Sequence, residues 1–129
     1  MVNHQIIDAR DPHPTPVDLT PEDLAALREN LREQRLFRQE QLREITAAAP
    51  ARAEALLQRQ AASQVEVSVK LAASARMVLA DVEAALARMD DGSYGHCHLC
   101  RRPIARERLE IVPQARYCAR CQQVREAGR

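Results

Sequence analysis

The sequence predicts a mainly α-helical protein: an antiparallel coiled-coil hairpin, then a small four-cysteine finger and a short C-terminal helix. Helix-forming Ala, Leu, Glu, Arg and Gln dominate, and only three of the 129 residues are aromatic. Two long stretches place apolar residues at helical spacing, and two CxxC pairs follow them. Because large apolar residues are scarce, we expect an elongated body that a small cross-linking device stabilises.

Residues 1–19 form an expected extended leader, since Pro12, Pro14 and Pro16 alternate and disfavour helix. The start has no apolar run after a basic region, and no stretch is apolar enough to span a membrane. These features predict a cytoplasmic protein without a membrane partner. In a reducing compartment, four cysteines favour metal ligation or redox work over structural disulfides.

A helix start is predicted directly after the leader. Thr20 can cap, Pro21 suits the first helical position, and Asp23 completes a capping box. Leu19 and Leu24 are spaced for a hydrophobic staple. The helix is expected to run to about residue 48.

The contact face of this first helix begins with Leu24, Leu27 and Leu31 and resumes at Leu42 and Ile45. A strict heptad between them would put polar residues on the seam, at Gln34, Arg38 and Gln41. We therefore expect Leu36 and Phe37 to take up the contact with a shift in phase.

The second helical stretch ends near residue 90 and has one clear seam. Its apolar residues step by four, three, four, three and four through Leu71, Ala75, Val78, Val82, Ala85 and Met89. The segment QVEVSVKL (64–71) alternates as a strand would, but helical neighbours flank it and no partner strand is present, so helix is predicted.

Two helices of similar length with a short connection predict a hairpin over residues 20–90, with its tip near 49–60. About 28 residues at roughly 1.5 Å rise give a rod on the order of 40 Å long. A helical bundle formed by dimerisation is the alternative, because a single seam does not exclude self-association.

Residues 91–129 form the predicted four-cysteine finger and its C-terminal helix, after the helix-breaking DDGSYG (90–95). Cys97 and Cys100 are followed by seventeen residues and then by Cys118 and Cys121. Two such knuckles present four thiolates in a tetrahedron, so the spacing predicts one structural Zn²⁺. A redox role for the CxxC pairs is the rival, but it usually needs a βαβ scaffold, which the sequence does not show.

Four cysteines fill a tetrahedral site, so neither His96 nor His98 is needed as a ligand. The closed site leaves no position for a catalytic water, and an enzyme is not predicted. Arginines cluster in the spacer at Arg101, Arg102, Arg106 and Arg108. One interpretation is a docking patch for an acidic protein surface or a phosphate. The other, which we favour, is that these arginines balance the negative charge of the metal site.

The chain resembles the DksA/TraR family of bacterial transcription regulators. The motifs are DGSYGHCHLC, RRPIARERLEIVP and ARYCARC, after a helical hairpin, and the resemblance covers about residues 20–129. It implies the zinc ligands Cys97, Cys100, Cys118 and Cys121. It also implies direct binding of RNA polymerase, with the hairpin in the secondary channel and no DNA site of its own.

The resemblance implies that tip acids act on initiation. Counting back from Cys97 without gaps, the family's two aspartates and alanine fall on Glu54, Leu57 and Arg59. Only the first is acidic here. Some members act with the alarmone ppGpp, and the contact residues for it find no one-to-one match in this sequence.

The functional prediction is therefore a zinc-containing regulator that modulates transcription initiation on RNA polymerase. The alternative is a zinc-finger and coiled-coil adaptor that binds another protein. Sequence-specific DNA binding is not expected, because no helix presents a reading face and the formal net charge is only +1.

Overall fold

The computed structural model describes residues 19–57 and 62–128. In these ranges the chain forms helices α1 (Pro21–Ala47), α2 (Ala49–Leu57), α3 (Ala62–Asp91), α4 (Arg106–Ile111) and α5 (Ala119–Ala127). The predicted fold class is confirmed: α1 and α3 pair as a long hairpin, and a four-cysteine finger and a C-terminal helix follow. The predicted leader, except Leu19, lies outside the described residues.

The start of α1 has the predicted capping box. The hydroxyl of Thr20 accepts a hydrogen bond from the backbone N–H of Asp23 at 3.0 Å, and Asp23 Oδ2 accepts one from the N–H of Thr20 at 3.0 Å. Pro21 occupies the first turn. Leu19 is buried and Leu24 packs against the same core, as a hydrophobic staple requires.

The hairpin packs most tightly at its base, which we define as residues 19–31 and 82–91. Leu31 and Val82 are fully buried there, with Leu27 and Leu86 beside them. Most of the predicted seam of α3 is buried or half-buried. The segment that alternates like a strand is helical throughout. Leu71 is an exception at 47% exposed, and Ala72 is buried next to it.

The predicted change of phase in α1 is wrong. Leu36 and Phe37 are 62% and 63% exposed, so neither takes up the contact with α3. The helix keeps its phase, and the polar residues Gln34, Arg38 and Gln41 are half-buried on the seam instead. Arg38 and Gln41 tolerate this position because their long side chains bond to each other at 3.0 Å while their polar ends reach water.

The predicted tip contains a helix of its own. Helix α1 ends at Ala47, close to the predicted residue 48, and after Ala48 the chain re-enters helix as α2. Pro50 lies in the first turn of α2, where its missing N–H costs no intrahelical bond. Helix α2 contacts both α1 and α3.

The finger and the hairpin base share a single apolar core. Ile104 and Leu109 of the finger are fully buried in one cluster with Leu31 and Val82 of the hairpin. Polar contacts bridge the same boundary: Arg106 lies 3.1 Å from Asp23, and Arg88 donates to the carbonyl of Ala115 at 3.4 Å. The hairpin is thereby fixed on the finger at one end. No described helix is both long enough and apolar enough to cross a membrane.

Candidate metal centre

The first cysteine pair lies on a tight knuckle. Gly95 adopts a φ of 93°, and the segments on either side of the knuckle meet in a single bridge between His96 and Pro103. The N–H of Cys97 donates to the carbonyl of Arg102 at 2.9 Å, and the N–H of Arg101 donates to the carbonyl of Cys97 at 2.9 Å. These bonds turn the chain so that Cys97 and Cys100 lie on the same side.

The second pair opens helix α5. Cys118 is the N-cap residue, and its Sγ accepts a hydrogen bond from the N–H of Cys121 at 3.4 Å. The helical turn that follows spaces these two thiols three residues apart on one face. A backbone bond of 2.8 Å from His98 to the carbonyl of Arg116 ties the first knuckle to the second.

The structure brings the four predicted cysteines together. All four Sγ atoms lie within 4.8 Å of one another, and the Sγ atoms of Cys100 and Cys118 are 3.9 Å apart. A zinc ion with Zn–S bonds of roughly 2.3 Å requires sulfur–sulfur edges of about 3.8 Å. The donor set and its spacing therefore fit one tetrahedral zinc ion, and they leave no open position on it.

The electrostatics of the cluster favour a cation. Burial raises the pKa of the Cys97 thiol, but backbone N–H groups of Cys100, Cys118 and Leu99 outweigh it and lower this pKa to about 6. Desolvation and hydrogen bonds shared with the other three thiols raise the pKa of Cys121 to about 12. The Cys97 thiolate thus forms readily, whereas a thiolate at Cys121 needs a neutralising cation beside it.

A small apolar core holds the knuckles in place. Tyr94 is buried, and its hydroxyl donates to the carbonyl of Pro113 at 2.8 Å; burial raises the pKa of this phenol to about 12. Arg108 donates from Nε to the carbonyl of Tyr117 at 2.9 Å, just before the second knuckle. These supports were not identified from the sequence, because a lone tyrosine and a lone arginine have no distinguishing spacing.

The two histidines are not in the cluster. His98 is exposed and its ring packs edge-on against Tyr117, with centroids 6.0 Å apart. His96 is half-buried, with Nδ1 3.4 Å from the carbonyl oxygen of Ser93. Among the described residues, the group that could hold a metal consists of the four cysteines alone.

The predicted tip residues lie on a different element from the metal centre. Glu54 and Leu57 are exposed on α2, and Leu57 is 81% exposed. Arg59 lies outside the described residues. Their role stays a prediction.

Comparison with known proteins supports these features. Residues 92–127 match the family model described as the prokaryotic dksA/traR C4-type zinc finger. An uncharacterized protein of Aquifex aeolicus (strain VF5) is 38% identical over 52 residues, a match that covers 39% of this chain and 36% of that protein. The fold is similar to the structure of transcription factor DksA2 from Pseudomonas aeruginosa, with a TM-score of 0.73, 22% identity and 96% of each chain covered.

The predicted resemblance to DksA/TraR proteins is thus confirmed, by sequence within the finger and by fold along nearly the whole chain. The predicted single structural zinc ion is confirmed by the same finger match together with the convergence of four thiols. The relative from Aquifex aeolicus is matched over about a third of its length.

Proposed function

We propose that this protein is a transcription regulator that binds RNA polymerase directly, with the hairpin in the secondary channel and without a DNA site of its own. One observation carries the proposal: a dksA/traR-type finger is packed, through a shared core, on a hairpin with the fold of a transcription factor. We expect such a protein to act where its polymerase is, in the cytoplasm.

The dimensions of the hairpin suit a probe. Helix α3 has 30 residues, which corresponds to about 45 Å at roughly 1.5 Å per residue. Its base is fixed to the finger, so a finger that rests outside a channel would direct the other end inward. We therefore assign residues 20–90 to insertion and residues 91–129 to anchorage.

The metal has a structural role in this proposal. Cys97, Cys100, Cys118 and Cys121 hold one zinc ion as four thiolates, which leaves no coordination position for water or substrate. The metal replaces the large core that a unit of this size lacks. The protein then works by occupying and contacting the polymerase, and it is not an enzyme.

In this proposal the tip of the hairpin produces the effect on transcription initiation. Glu54 supplies the acid that would act near the polymerase active centre, while Leu57 and Arg59 replace the family's second acid and alanine. Because the tip has one acid instead of two, we expect its effect on initiation to be weaker than, or different from, that of family members with two. Binding to the polymerase should be less affected. Dependence on ppGpp would be tested by measuring transcription with and without the alarmone.

The test measures binding of the zinc-loaded protein to core RNA polymerase of its own source. A variant in which a Gly-Ser turn replaces residues 50–60 is compared, together with competition by an established secondary-channel factor. We expect micromolar or tighter binding that the competitor displaces. No binding of the intact protein would contradict the proposal and would favour the adaptor alternative.

Transcription from defined promoters then tests the tip. Glu54→Gln removes the single tip acid, and Glu22→Gln makes the same chemical change at an exposed position at the start of α1. We expect the first to change transcript yield and the second to leave it unaltered. Equal behaviour of the two variants would remove Glu54 from the mechanism.

A further inference from the structure

The two ends of the hairpin are packed differently. In the base, Leu31 and Val82 are fully buried, and both belong to the apolar core that the finger shares. Among the described residues of the hairpin, that core extends no further than Leu31 on α1 and Val78 on α3. We call the part beyond it, residues 34–47 and 64–77, the distal section. The shared core therefore ends before the distal section begins.

The distal section buries little apolar surface. The residues that are buried in it are two alanines, Ala72 and Ala75. Hydrophobic stabilisation scales with the apolar area removed from water, and the side chain of alanine is a single methyl group. The larger apolar side chains of the section are all half-buried or exposed: Leu36, Phe37, Leu42, Ile45, Val65, Val67, Val69, Leu71 and Met77. The distal section thus gains less from burial than the base does.

Long polar side chains occupy the α1 side of the distal seam. Gln34, Arg38 and Gln41 are half-buried there. Gln34 donates to Asn30 at 2.8 Å, and Arg38 donates to Gln41 at 3.0 Å, so both bonds lie within α1. Partial burial of these groups costs desolvation, which the bonds offset without joining α1 to α3.

Polar links between the two helices are confined to the base. Each side-chain hydrogen bond or ion pair that the structure describes for residues 34–47 and 64–77 joins residues of one helix, as Lys70 and Glu66 do on α3. In the base, by contrast, Arg28 of α1 reaches Asp90 of α3 at 2.9 Å. Neither apolar burial nor polar bonding therefore holds the distal helices together as it holds the base.

We infer that the distal section is a separate unit of stability, which opens and recloses while the base and the finger stay folded. Proteins open locally in contiguous units, and the weakest units are those with the fewest buried apolar contacts. An isolated helical stretch of about 14 residues is marginal in water, so separation of the two helices here also breaks their backbone hydrogen bonds. Helix α2 contacts both α1 and α3, and the tip therefore moves with this unit.

The consequence for function rests on the proposed function, in which the hairpin enters a channel of the polymerase. The closed distal section presents Glu54 in one place, whereas the open one does not. The channel then binds the closed form, and the apparent affinity is reduced in proportion to the fraction of molecules that are closed. Arg38 and Gln41 thus lower the affinity for polymerase from a position on the seam.

Hydrogen exchange of the full-length, zinc-loaded protein, followed by mass spectrometry, tests the inference. Protection is compared between peptides of the distal section and peptides of the base, each corrected for its intrinsic exchange rate. We expect distal amides to be protected at least about tenfold less, with a step between the two parts. Equal protection would show that the hairpin opens as one unit, and a gradual decline towards the tip would show simple fraying. Each of these results would overturn the inference.

Two matched double variants test the cause. Arg38→Leu with Gln41→Leu places leucines on the seam, whereas Arg32→Leu with Gln64→Leu makes the same chemical changes at exposed positions. We expect the seam variant to raise distal protection by at least about tenfold and to leave the base unchanged, and the exposed variant to change neither. Equal effects of the two would remove the polar seam as the cause. Sedimentation shows whether either variant assembles; if the seam variant does, the comparison within the unsubstituted protein decides.

Addition of core RNA polymerase from the protein's own source tests the functional consequence. Binding should slow exchange more in the distal section than in the base, and the seam variant should bind at least about threefold more tightly than the exposed variant. If the protein binds and distal exchange is not slowed, this consequence is refuted and the proposed function stands. If the unsubstituted protein does not bind, the proposed function falls, while exchange of the free protein still decides whether the distal section opens by itself.

Discussion

Arg116 donates two hydrogen bonds to a single carboxylate oxygen of Asp81, at 3.2 Å from Nε and 2.9 Å from Nη2. The two residues are 35 positions apart, one in the finger and one on α3. Their side chains are 36% and 43% exposed, so water weakens the attraction. The pair links the finger to α3 but contributes little to the stability of the fold.

Loss of this pair should therefore have a modest effect on stability. We expect Arg116→Ala and Asp81→Ala each to lower the free energy of unfolding by about 0.5–1 kcal/mol. In a double-mutant cycle, the second substitution should add little once the first is made. Urea denaturation followed by circular dichroism measures all four proteins, and fully additive losses would show that the two side chains do not interact.

The buried and exposed leucines of α1 provide a matched comparison. Leu31 is fully buried in the shared core, whereas Leu36 is 62% exposed. Leu31→Ala should cost about 3 kcal/mol, because it removes packing and leaves a cavity. Leu36→Ala should change stability by less than about 0.5 kcal/mol. Similar losses for the two would mean that Leu36 is buried in solution, in an assembly or in a different helix phase.

Removal of one thiol should release the metal. We expect Cys97→Ser to reduce zinc content from one ion per chain to well below one, and to lower the thermal stability of the whole protein because the finger shares its core with the hairpin. Ser93→Ala is the control, since it removes a hydrogen bond to Asp91 without touching a sulfur. Elemental analysis and calorimetry give both values. A Cys97→Ser protein with full zinc content would exclude this thiol as a ligand.

Arg101 holds a backbone conformation that suits glycine. Its φ is 65°, in the left-handed region where a side chain is unfavourable by about 1 kcal/mol. Arg101→Gly should therefore raise the melting temperature by a few degrees, while Arg102→Gly, with no such backbone strain, should lower it. A lower melting temperature for Arg101→Gly would show that its side chain contributes more than the strain costs.

The cap of α1 makes a pH-dependent contribution. Backbone hydrogen bonding at Thr20 lowers the pKa of Asp23 below 3.8, with further help from the Thr20 hydroxyl and Arg106. A carboxyl with a lowered pKa stabilises the fold fully above pH 3.8 and loses this effect as the pH falls through its folded value. The difference in melting temperature between the protein and Asp23→Asn should thus be constant near neutral pH and shrink below about pH 4. A gap that does not change with pH would contradict ionisation as its source.

The sequence predicted the features whose causes are local. The capping box, the knuckles and the helical reading of the segment 64–71 depend on residues a few positions apart, and all appear in the structure. The metal centre was predicted because its spacing is specific. Contacts between distant segments, such as Arg116 with Asp81, carry no such pattern and were not predicted.

The two errors in the hairpin also have physical causes. The shift to Leu36 and Phe37 was expected because apolar residues usually fill a seam, but the buried contacts at Leu27 and Leu31 keep the helix phase constant. Helix α2 was not predicted, because Pro50 follows shortly after the expected end of the first helix. A proline disrupts a helix at interior positions, but in the first turn it is compatible with the helix.

The common core of hairpin and finger limits how this molecule could be divided. Excised residues 91–128 would expose part of the core that Ile104 and Leu109 share with Leu31 and Val82 of the hairpin. A transplanted finger would therefore be prone to aggregate, and a finger from a relative would fit this hairpin only with matching residues at the base. Evolution within such a chain has to change the two parts together, and recombination between them is disfavoured.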